Sequence, residues 1–255
     1  MQAIILAGGL GTRLSEETDR IPKPLVEVGG RPILWHIMKI YAAQGISEFI
    51  ICLGYKGEKI KQYFSDYLMY ANDMEIDLGR GSYRYYGASS ESWKINLIDT
   101  GVETMTGGRL TRVVEFIKED ECFVTYGDGV GDVNVLSVLE HHRKQKCLAT
   151  VTAVRPPARF GALNISDGMV DSFQEKPLGD NSWINGGFFV FNKKAFEYFG
   201  GDDSVLEQTP LMNLTKDRQL SVYCHEGFWH PMDTMRDVRH LNSLWDGKAA
   251  PWKIW

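Results

Sequence analysis

A glycine-rich turn near the N-terminus has the residue types needed to bind an anion. The apolar run Ala3–Ala7 predicts a strand, and Gly8, Gly9 and Gly11 follow it directly. Glycine lets the backbone approach an anion closely, and consecutive N–H groups in such a turn can bind phosphate oxygens. Two common motifs are excluded: G-x-x-x-x-G-K-[ST] is absent, and Leu14 stands where G-x-G-x-x-G needs its third glycine. The glycines alone leave phosphate binding and a plain strand–helix turn equally open.

Cations follow this turn at places where the backbone is restricted. Arg13 comes two residues after Gly11, and Lys23 lies between Pro22 and Pro24. Proline fixes its own backbone and restricts the residue before it, so we expect a defined position for the Lys23 side chain. Lys176 also precedes a proline. Such fixed cations suit a polyphosphate ligand, although either Lys-Pro pair taken alone also fits a solvated turn.

Two aspartates have the chemistry of a magnesium site. Asp128 follows the apolar run Cys122–Tyr126, and Asp233 precedes a predicted helix over Met235–Trp245. Mg²⁺ is typically bound by one or two carboxylates together with substrate phosphates. Taken alone, an aspartate at such a place is more often a turn or helix N-cap residue than a metal ligand, and Asp233 is a good N-cap candidate. Their separation along the chain does not show whether they meet.

The elements that must position these residues alternate between short apolar strands and amphipathic helices. This alternation predicts an α/β fold with a Rossmann-like, mixed and mostly parallel sheet flanked by helices, and a smaller C-terminal β/α portion. Residues 65–92 are rich in Tyr, Gly, Ser and Asp, which indicates an irregular insertion. We predict a single domain over residues 1–255. The other predicted strands are Glu48–Leu53, Trp93–Thr100, Leu148–Val154, Ala162–Ile165, Met169–Gln174, Phe188–Phe191 and Leu220–Cys224. The other predicted helices are Ile33–Gln44, Lys56–Phe64, Gly107–Phe116 and Val135–Gln145.

Composition excludes several classes of protein. The 255 residues are 44% hydrophobic and 24% charged, values typical of globular chains, and the net charge is −5 without a basic block. We therefore expect no nucleic acid partner. No stretch approaches about 18 apolar residues and no leader pattern is recognised, so we expect a cytoplasmic protein without membrane contact. The four cysteines stand singly, which predicts buried thiols, and four tryptophans after residue 228 are expected to pack the C-terminal segment.

Taken in order, these motifs resemble the sugar-phosphate nucleotidyltransferase family over essentially the whole chain. The segments that carry the resemblance are Leu6–Arg13, Pro22-Lys23-Pro24, Tyr126-Gly127-Asp128, Phe160-Gly161-Ala162, Glu175-Lys176-Pro177, Asn185-Gly186-Gly187 and Asp233. The resemblance implies a nucleotide-binding core over residues 1–155, which includes the insertion, and a sugar-binding portion over residues 156–255.

The resemblance also implies a role for each matching residue. Catalysis would involve Arg13, Lys23, Asp128 and Asp233, and the two aspartates would bind Mg²⁺. The implied nucleotide-binding residues are Leu6, Ala7, Gly8, Gly9, Leu10, Gly11, Thr12, Arg13, Lys23, Thr104, Arg109 and Gly127. The implied sugar-phosphate-binding residues are Gly161, Glu175, Lys176, Asn185 and Gly186.

The segment Thr104–Arg109 resembles the branch of the family that uses CTP, because relatives that transfer thymidylate have a glutamine-containing segment there. The implied substrates are CTP and a hexose 1-phosphate, taken as glucose 1-phosphate. The implied product, CDP-glucose, would supply deoxyhexoses for surface polysaccharide such as O-antigen, and a homo-oligomer is expected. Another nucleotide or sugar 1-phosphate, and a sensor without catalysis, stay as alternatives.

Overall fold

The computed structural model describes residues 1–11, 14, 18, 20–87, 91–156, 162–166, 169–174 and 183–255, with only the backbone of 162–166 and 170–174. The helices are α1 (Ile33–Ala42), α2 (Gly57–Ser65), α3 (Tyr67–Ala71), α4 (Thr106–Arg112), α5 (Val135–Gln145), α6 (Thr209–Lys216) and α7 (Met235–Asp246). Short 3₁₀ helices cover Lys23–Leu25, Val114–Phe116 and Lys193–Tyr198. The strands are β1 (Gln2–Leu6), β2 (Glu27–Val28), β3 (Arg31–Pro32), β4 (Glu48–Leu53), β5 (Asp73–Asp77), β6 (Ser82–Tyr86), β7 (Lys94–Asp99), β8 (Glu121–Tyr126), β9 (Gly129–Gly131), β10 (Ala149–Val154), β11 (Ala162–Ser166), β12 (Met169–Gln174), β13 (Ile184–Asn185), β14 (Phe189–Asn192), β15 (Leu220–His225) and β16 (Trp229–Pro231).

The central sheet has the strand order β7–β4–β1–β8–β14–β10–β15, and β13 pairs with the far end of β10. Strands β1, β4, β7 and β8 are mutually parallel, whereas β14 runs antiparallel to both β8 and β10. The predicted mixed, mostly parallel sheet is confirmed. Every residue of β1 is buried, which explains its continuous apolar sequence, because a central parallel strand is covered on both faces. The prediction of a single domain over the chain stays a prediction.

Two hydrophobic clusters cover the two faces of this sheet. Alternate residues of β1 point to opposite faces: Ile5 belongs to the cluster that contains α1, α5 and α7 residues, and Ile4 to the cluster that contains Leu110 of α4 and Leu214 of α6. This layered packing holds the strand ends, where the candidate site lies, at one edge of a rigid core.

The insertion predicted over residues 65–92 does lie outside the central sheet, but the expectation that it is irregular is wrong. It contains α3 and an antiparallel hairpin formed by β5 and β6, in which Asp73 pairs with Tyr86. Its side chains are mostly exposed, including Leu78 at 90%. The segment Asp73–Asp77 does alternate polar and apolar residues, so the pattern of β5 is present in the sequence, but the composition rich in Tyr, Gly, Ser and Asp favours an irregular interpretation.

The cysteines are only partly as expected. Cys52 and Cys122 are buried thiols in β4 and β8, whereas Cys147 is half-buried and Cys224 is exposed. Cys224 lies on β15, which pairs with β10 at the side of the sheet, so one face of that strand is open to solvent. Among the described helices the longest, α7, has 12 residues, and none is long and apolar enough to cross a bilayer.

Packing of the C-terminal segment centres on His36 of α1, which is fully buried. Trp252 donates its indole N–H to Nδ1 of His36 at 3.3 Å, and Nε2 lies 2.8 Å from the carbonyl oxygen of Val28. An indole N–H only donates and a carbonyl only accepts, so the ring must be neutral with its proton on Nε2. Burial lowers the pKa of His36 from 6.5 to about 4.

This pKa shift predicts a loss of stability in acid that belongs to His36. In the unfolded chain this ring binds a proton near pH 6.5, and in the folded chain only near pH 4. The full contribution of neutral His36 to the free energy of unfolding is therefore present above pH 6.5. It is lost as the pH falls from 6.5 towards 4 and amounts to about 3 kcal/mol at most.

In urea unfolding at pH 7 and pH 4, we expect His36→Gln to lose less free energy of unfolding on acidification than the wild type. His240→Gln, at an exposed histidine, is the matched control and should follow the wild type. Equal acid sensitivity of wild type and His36→Gln would contradict the assignment.

Candidate active site

The glycine-rich turn lies at the carboxyl end of β1, between the ends of β4 and β8. Its backbone is fixed on both sides, because Ala7 N–H donates to the Cys52 carbonyl and Gly127 N–H donates to the Leu6 carbonyl, each at 3.0 Å. Gly11 has a φ of +66°, a conformation that strains residues with a side chain. The carboxyl ends of parallel strands are where open α/β sheets bind ligands, and the turn is held in that position.

Arg109 of α4 clamps this turn from inside the protein. The side chain is 4% exposed, and Nη2 donates to the Gly8 carbonyl at 3.0 Å. Nη1 donates to the Leu53 carbonyl, the Thr100 hydroxyl and the Gly101 carbonyl at 2.7 to 2.9 Å. Because these groups lie at the carboxyl ends of β1, β4 and β7, one planar guanidinium holds three strand ends together.

The position of the same guanidinium explains why Gly8 and Gly54 have no side chain. A Cβ on Gly8 would lie 2.1 Å from Nη1 of Arg109, and a Cβ on Gly54 would lie 2.4 Å from the same atom. Neither position can accept a side chain without displacing a buried, hydrogen-bonded charge. Burial lowers the pKa of Arg109, yet the carbonyl oxygens around it satisfy its N–H groups. The nucleotide contact implied for Arg109 stays a prediction, next to this observed role in holding the turn.

Lys23 bridges the two aspartates. Its Nζ donates to Asp128 Oδ2 at 2.6 Å and to Asp233 Oδ1 at 2.7 Å. Lys23 is the first residue of a 3₁₀ helix that follows Pro22 and contains Pro24. Its side chain is 12% exposed, which agrees with the predicted fixed position. Burial alone would lower the pKa of Lys23, but attraction and hydrogen bonds from both carboxylates outweigh it and raise the pKa above its ordinary value.

A short antiparallel ladder brings the two aspartates together. Pro231 of β16 pairs with Gly129 of β9, and the Met232 N–H donates to the Asp128 carbonyl at 2.7 Å. The alternative that Asp233 caps α7 is wrong. Thr234 is the N-cap and forms a capping box with Asp237, which leaves the Asp233 carboxylate directed at Lys23.

These residues surround a cavity of about 360 Å³. Its walls bring together most residues predicted for the nucleotide, namely Leu6, Ala7, Gly8, Gly9, Gly11, Lys23, Thr104, Arg109 and Gly127, with Asp128 and Asp233. Leu10 is predicted there too but is 50% exposed and is not part of the wall that the described residues form. Thr12, Arg13, Gly161, Glu175 and Lys176 lie outside the described residues.

The sugar-side residues that the structure describes lie next to this cavity. Asn185 of β13 donates from Nδ2 to the hydroxyl of Tyr126 at 3.1 Å, and the Gly186 carbonyl accepts from the Trp229 indole at 2.9 Å. Sequence reasoning missed Tyr126, which lines the cavity, together with Pro24, Met105 and Thr106. The position of Tyr126 at the end of a buried strand, directly before Gly127-Asp128, was an available signal.

The two carboxylates fit a magnesium ion shared with a substrate. Asp128 Oδ2 and Asp233 Oδ1 converge on the single point that the Lys23 ammonium occupies. Within the described ranges, no group of three or more His, Cys, Asp or Glu side chains is placed to hold a metal. Mg²⁺ needs only one or two carboxylates when phosphates and waters supply its remaining ligands. The donor set therefore suits a metal that arrives with a polyphosphate.

Comparisons with known proteins agree with this geometry. A family model described as nucleotidyl transferase matches residues 2–250. The chain is 51% identical to glucose-1-phosphate cytidylyltransferase of Salmonella typhi and 45% identical to a probable glucose-1-phosphate cytidylyltransferase of Bacillus subtilis, each over 100% of both chains. The crystal structure of HddC from Yersinia pseudotuberculosis complexed with GMP-PN matches with a TM-score of 0.69 and 23% identity, over 96% of this chain and 99% of that one. At this identity the last match shows the fold alone.

The clamp on the glycine turn predicts unequal effects of two neighbouring substitutions. Gly8→Ala places a Cβ against the Arg109 guanidinium, whereas a Cβ on Gly9 meets nothing within 4 Å. We expect Gly8→Ala to lower the free energy of unfolding by about 2 kcal/mol. Gly9→Ala, the matched control, should stay within about 0.5 kcal/mol of the wild type.

Urea unfolding measures both variants, and Arg109→Ala supplies a second test. Gly8→Ala should cost much less stability in the Arg109→Ala background, because the clash is then absent. Equal costs in both backgrounds would show that Arg109 does not require a glycine at position 8.

Proposed function

This chain belongs to the nucleotidyl transferase family, and we propose that it transfers CMP from CTP to α-D-glucose 1-phosphate, which gives CDP-glucose and pyrophosphate. The observation that carries the proposal is the Lys23 ammonium, which lies between Asp128 and Asp233 in the wall of the cavity that the glycine turn also lines. That arrangement places a cation and two metal-type carboxylates where an open α/β sheet binds phosphates.

The proposed reaction needs no protein nucleophile and no general base. An oxygen of the sugar 1-phosphate forms a bond to the α-phosphorus of CTP, and the bond from that phosphorus to the oxygen of the β-phosphate breaks. The attacking oxygen is already ionised at neutral pH, so no proton has to be removed. Catalysis then depends on orienting two anions that repel each other and on neutralising the charge of the transferred group.

The chain supplies those two functions from different elements. The turn Gly8–Gly11 presents backbone to the phosphates, and Arg109 fixes that backbone by its bond to the Gly8 carbonyl. The Lys23 ammonium is a fixed positive charge in the cavity wall beside the two carboxylates, which hold its pKa above the ordinary value despite burial. Each such preorganised charge contributes about 3 kcal/mol to rate in comparable sites.

Magnesium is part of the proposal. Asp128 and Asp233 are the residues that would hold it, and when bound it would neutralise the triphosphate and make the α-phosphorus a better electrophile. Support comes from the convergence of their oxygens on one cationic point, at the edge of a cavity large enough to admit phosphates.

The choice of CTP and glucose 1-phosphate rests on the relatives and on one segment. Both full-length relatives have names that specify glucose 1-phosphate and cytidylyl transfer. Thr104 and Arg109 of the segment assigned to the base do line the cavity. A role in supplying CDP-linked deoxyhexoses for surface polysaccharide, assembly into homo-oligomers and a cytoplasmic location stay predictions.

A substrate matrix tests the proposal. Pyrophosphate release is measured for CTP, UTP, dTTP and GTP, each with glucose 1-phosphate, mannose 1-phosphate and galactose 1-phosphate in the presence of Mg²⁺. We expect the highest kcat/KM for CTP with glucose 1-phosphate, and loss of release when the metal is removed with EDTA. Reactions without a sugar phosphate are the control for simple hydrolysis.

The outcomes separate the parts of the proposal. A different best pair would overturn the substrates and leave nucleotidyl transfer in place. Pyrophosphate release that does not depend on any sugar phosphate would overturn the reaction class itself.

A further inference from the structure

Glu207 connects the two sides of the cavity, although no motif singled it out. It lies in the loop before α6, and its carboxylate accepts from the Tyr126 hydroxyl at 2.5 Å and from the Thr106 hydroxyl at 2.8 Å. Tyr126 and Thr106 both line the cavity, at the end of β8 and at the start of α4. One side chain outside the cavity wall thus holds two side chains that form it.

The loop that carries Glu207 is fixed against α4 by backbone contacts. Met105 N–H donates to the Asp202 carbonyl at 2.8 Å, and Gly107 N–H donates to the Ser204 carbonyl at 2.8 Å. A Cβ on Gly107 would lie 2.6 Å from the Ser204 hydroxyl, so the close approach of the loop depends on this glycine. Glu207 is therefore held in place while its carboxylate remains exposed to solvent.

The carboxylate determines the direction of the hydrogen bonds around it. An ionised carboxylate only accepts, so both hydroxyls must donate to it. The oxygen of Tyr126 is then an acceptor for its other neighbour, Nδ2 of Asn185 at 3.1 Å. The Asn185 amide agrees with this direction, because its Oδ1 accepts from the Gly187 N–H at 2.8 Å. A flipped amide would place its NH₂ group against that N–H.

We propose that Glu207 is a positioning residue that orients the sugar side of the site: through Tyr126 it fixes the Asn185 amide so that its second N–H donates to a hydroxyl oxygen of the sugar phosphate. The proposal rests on the function proposed above and adds to it a residue that does not contact substrate.

Glu207→Gln tests the direction of these bonds with almost no change in shape. Glutamine has one accepting oxygen and one donating NH₂ group, so it can accept from only one of the two hydroxyls. In either orientation the Tyr126 hydroxyl loses its charged acceptor, so it is less strongly polarised and its oxygen accepts more weakly from Asn185. We expect the KM for the sugar 1-phosphate to rise roughly tenfold. We expect kcat to change less than about threefold, because no group at the reacting phosphorus is altered.

Tyr126→Phe removes the same connection by another route and completes a double-mutant cycle. It should raise the sugar KM by a similar factor, and Glu207→Gln should add nothing in the Tyr126→Phe background. Glu197→Gln makes the same chemical change at an exposed surface position and should leave all constants unchanged. Thermal unfolding of each variant checks that the fold is kept.

The outcomes are distinct. A sugar KM in Glu207→Gln within twofold of the wild type, or effects that multiply with those of Tyr126→Phe, would overturn this inference alone. An inactive wild type would overturn both this inference and the proposed function. Should Glu207→Gln fail to fold, Tyr126→Phe decides: a raised sugar KM supports the proposal, and an unchanged one overturns it.

Discussion

The ionic contact of Lys23 with Asp128 and Asp233 is the interaction on which the candidate site depends. Two carboxylates that converge on one point repel each other, and the ammonium between them offsets that repulsion at 2.6 and 2.7 Å. The three groups come from a proline-flanked 3₁₀ helix, the end of β8 and the connection from β16 to α7. The contact can form only when the sheet, the β9–β16 ladder and the proline-flanked segment are all in place, so fold and site are completed together.

The cavity beside that contact is formed by residues at the strand ends, and polar side chains hold those residues in position. Arg109 donates hydrogen bonds to carbonyls at three strand ends, and the carboxylate oxygens of Glu207 accept from two hydroxyls. Neither interaction requires the ligand. This preorganisation suits a reaction whose difficulty is to hold two anions together, and it explains why a chain with a net charge of −5 can bind phosphates.

Sequence reasoning predicted what depends on local pattern. Buried parallel strands such as β1 have continuous apolar runs, and Pro22 and Pro24 restrict Lys23 through covalent geometry, so both expectations follow from the sequence. The meeting of Asp128 with Asp233 could not be predicted, because it depends on paired strands of three residues, too short for any periodicity. The hydrogen-bond partners of Arg109 are backbone carbonyls, which have no sequence signature. The strand β5 does alternate polar and apolar residues, but the composition of the surrounding segment favoured an irregular structure.

The most direct test of this account is the rate of pyrophosphate release by Lys23→Met, measured with CTP and glucose 1-phosphate at saturation. Methionine keeps much of the aliphatic stem of lysine and removes only the charge. The account predicts a fall in kcat of about 100-fold or more with an unchanged far-ultraviolet circular dichroism spectrum. A folded Lys23→Met enzyme that retains a rate within threefold of the wild type would contradict it.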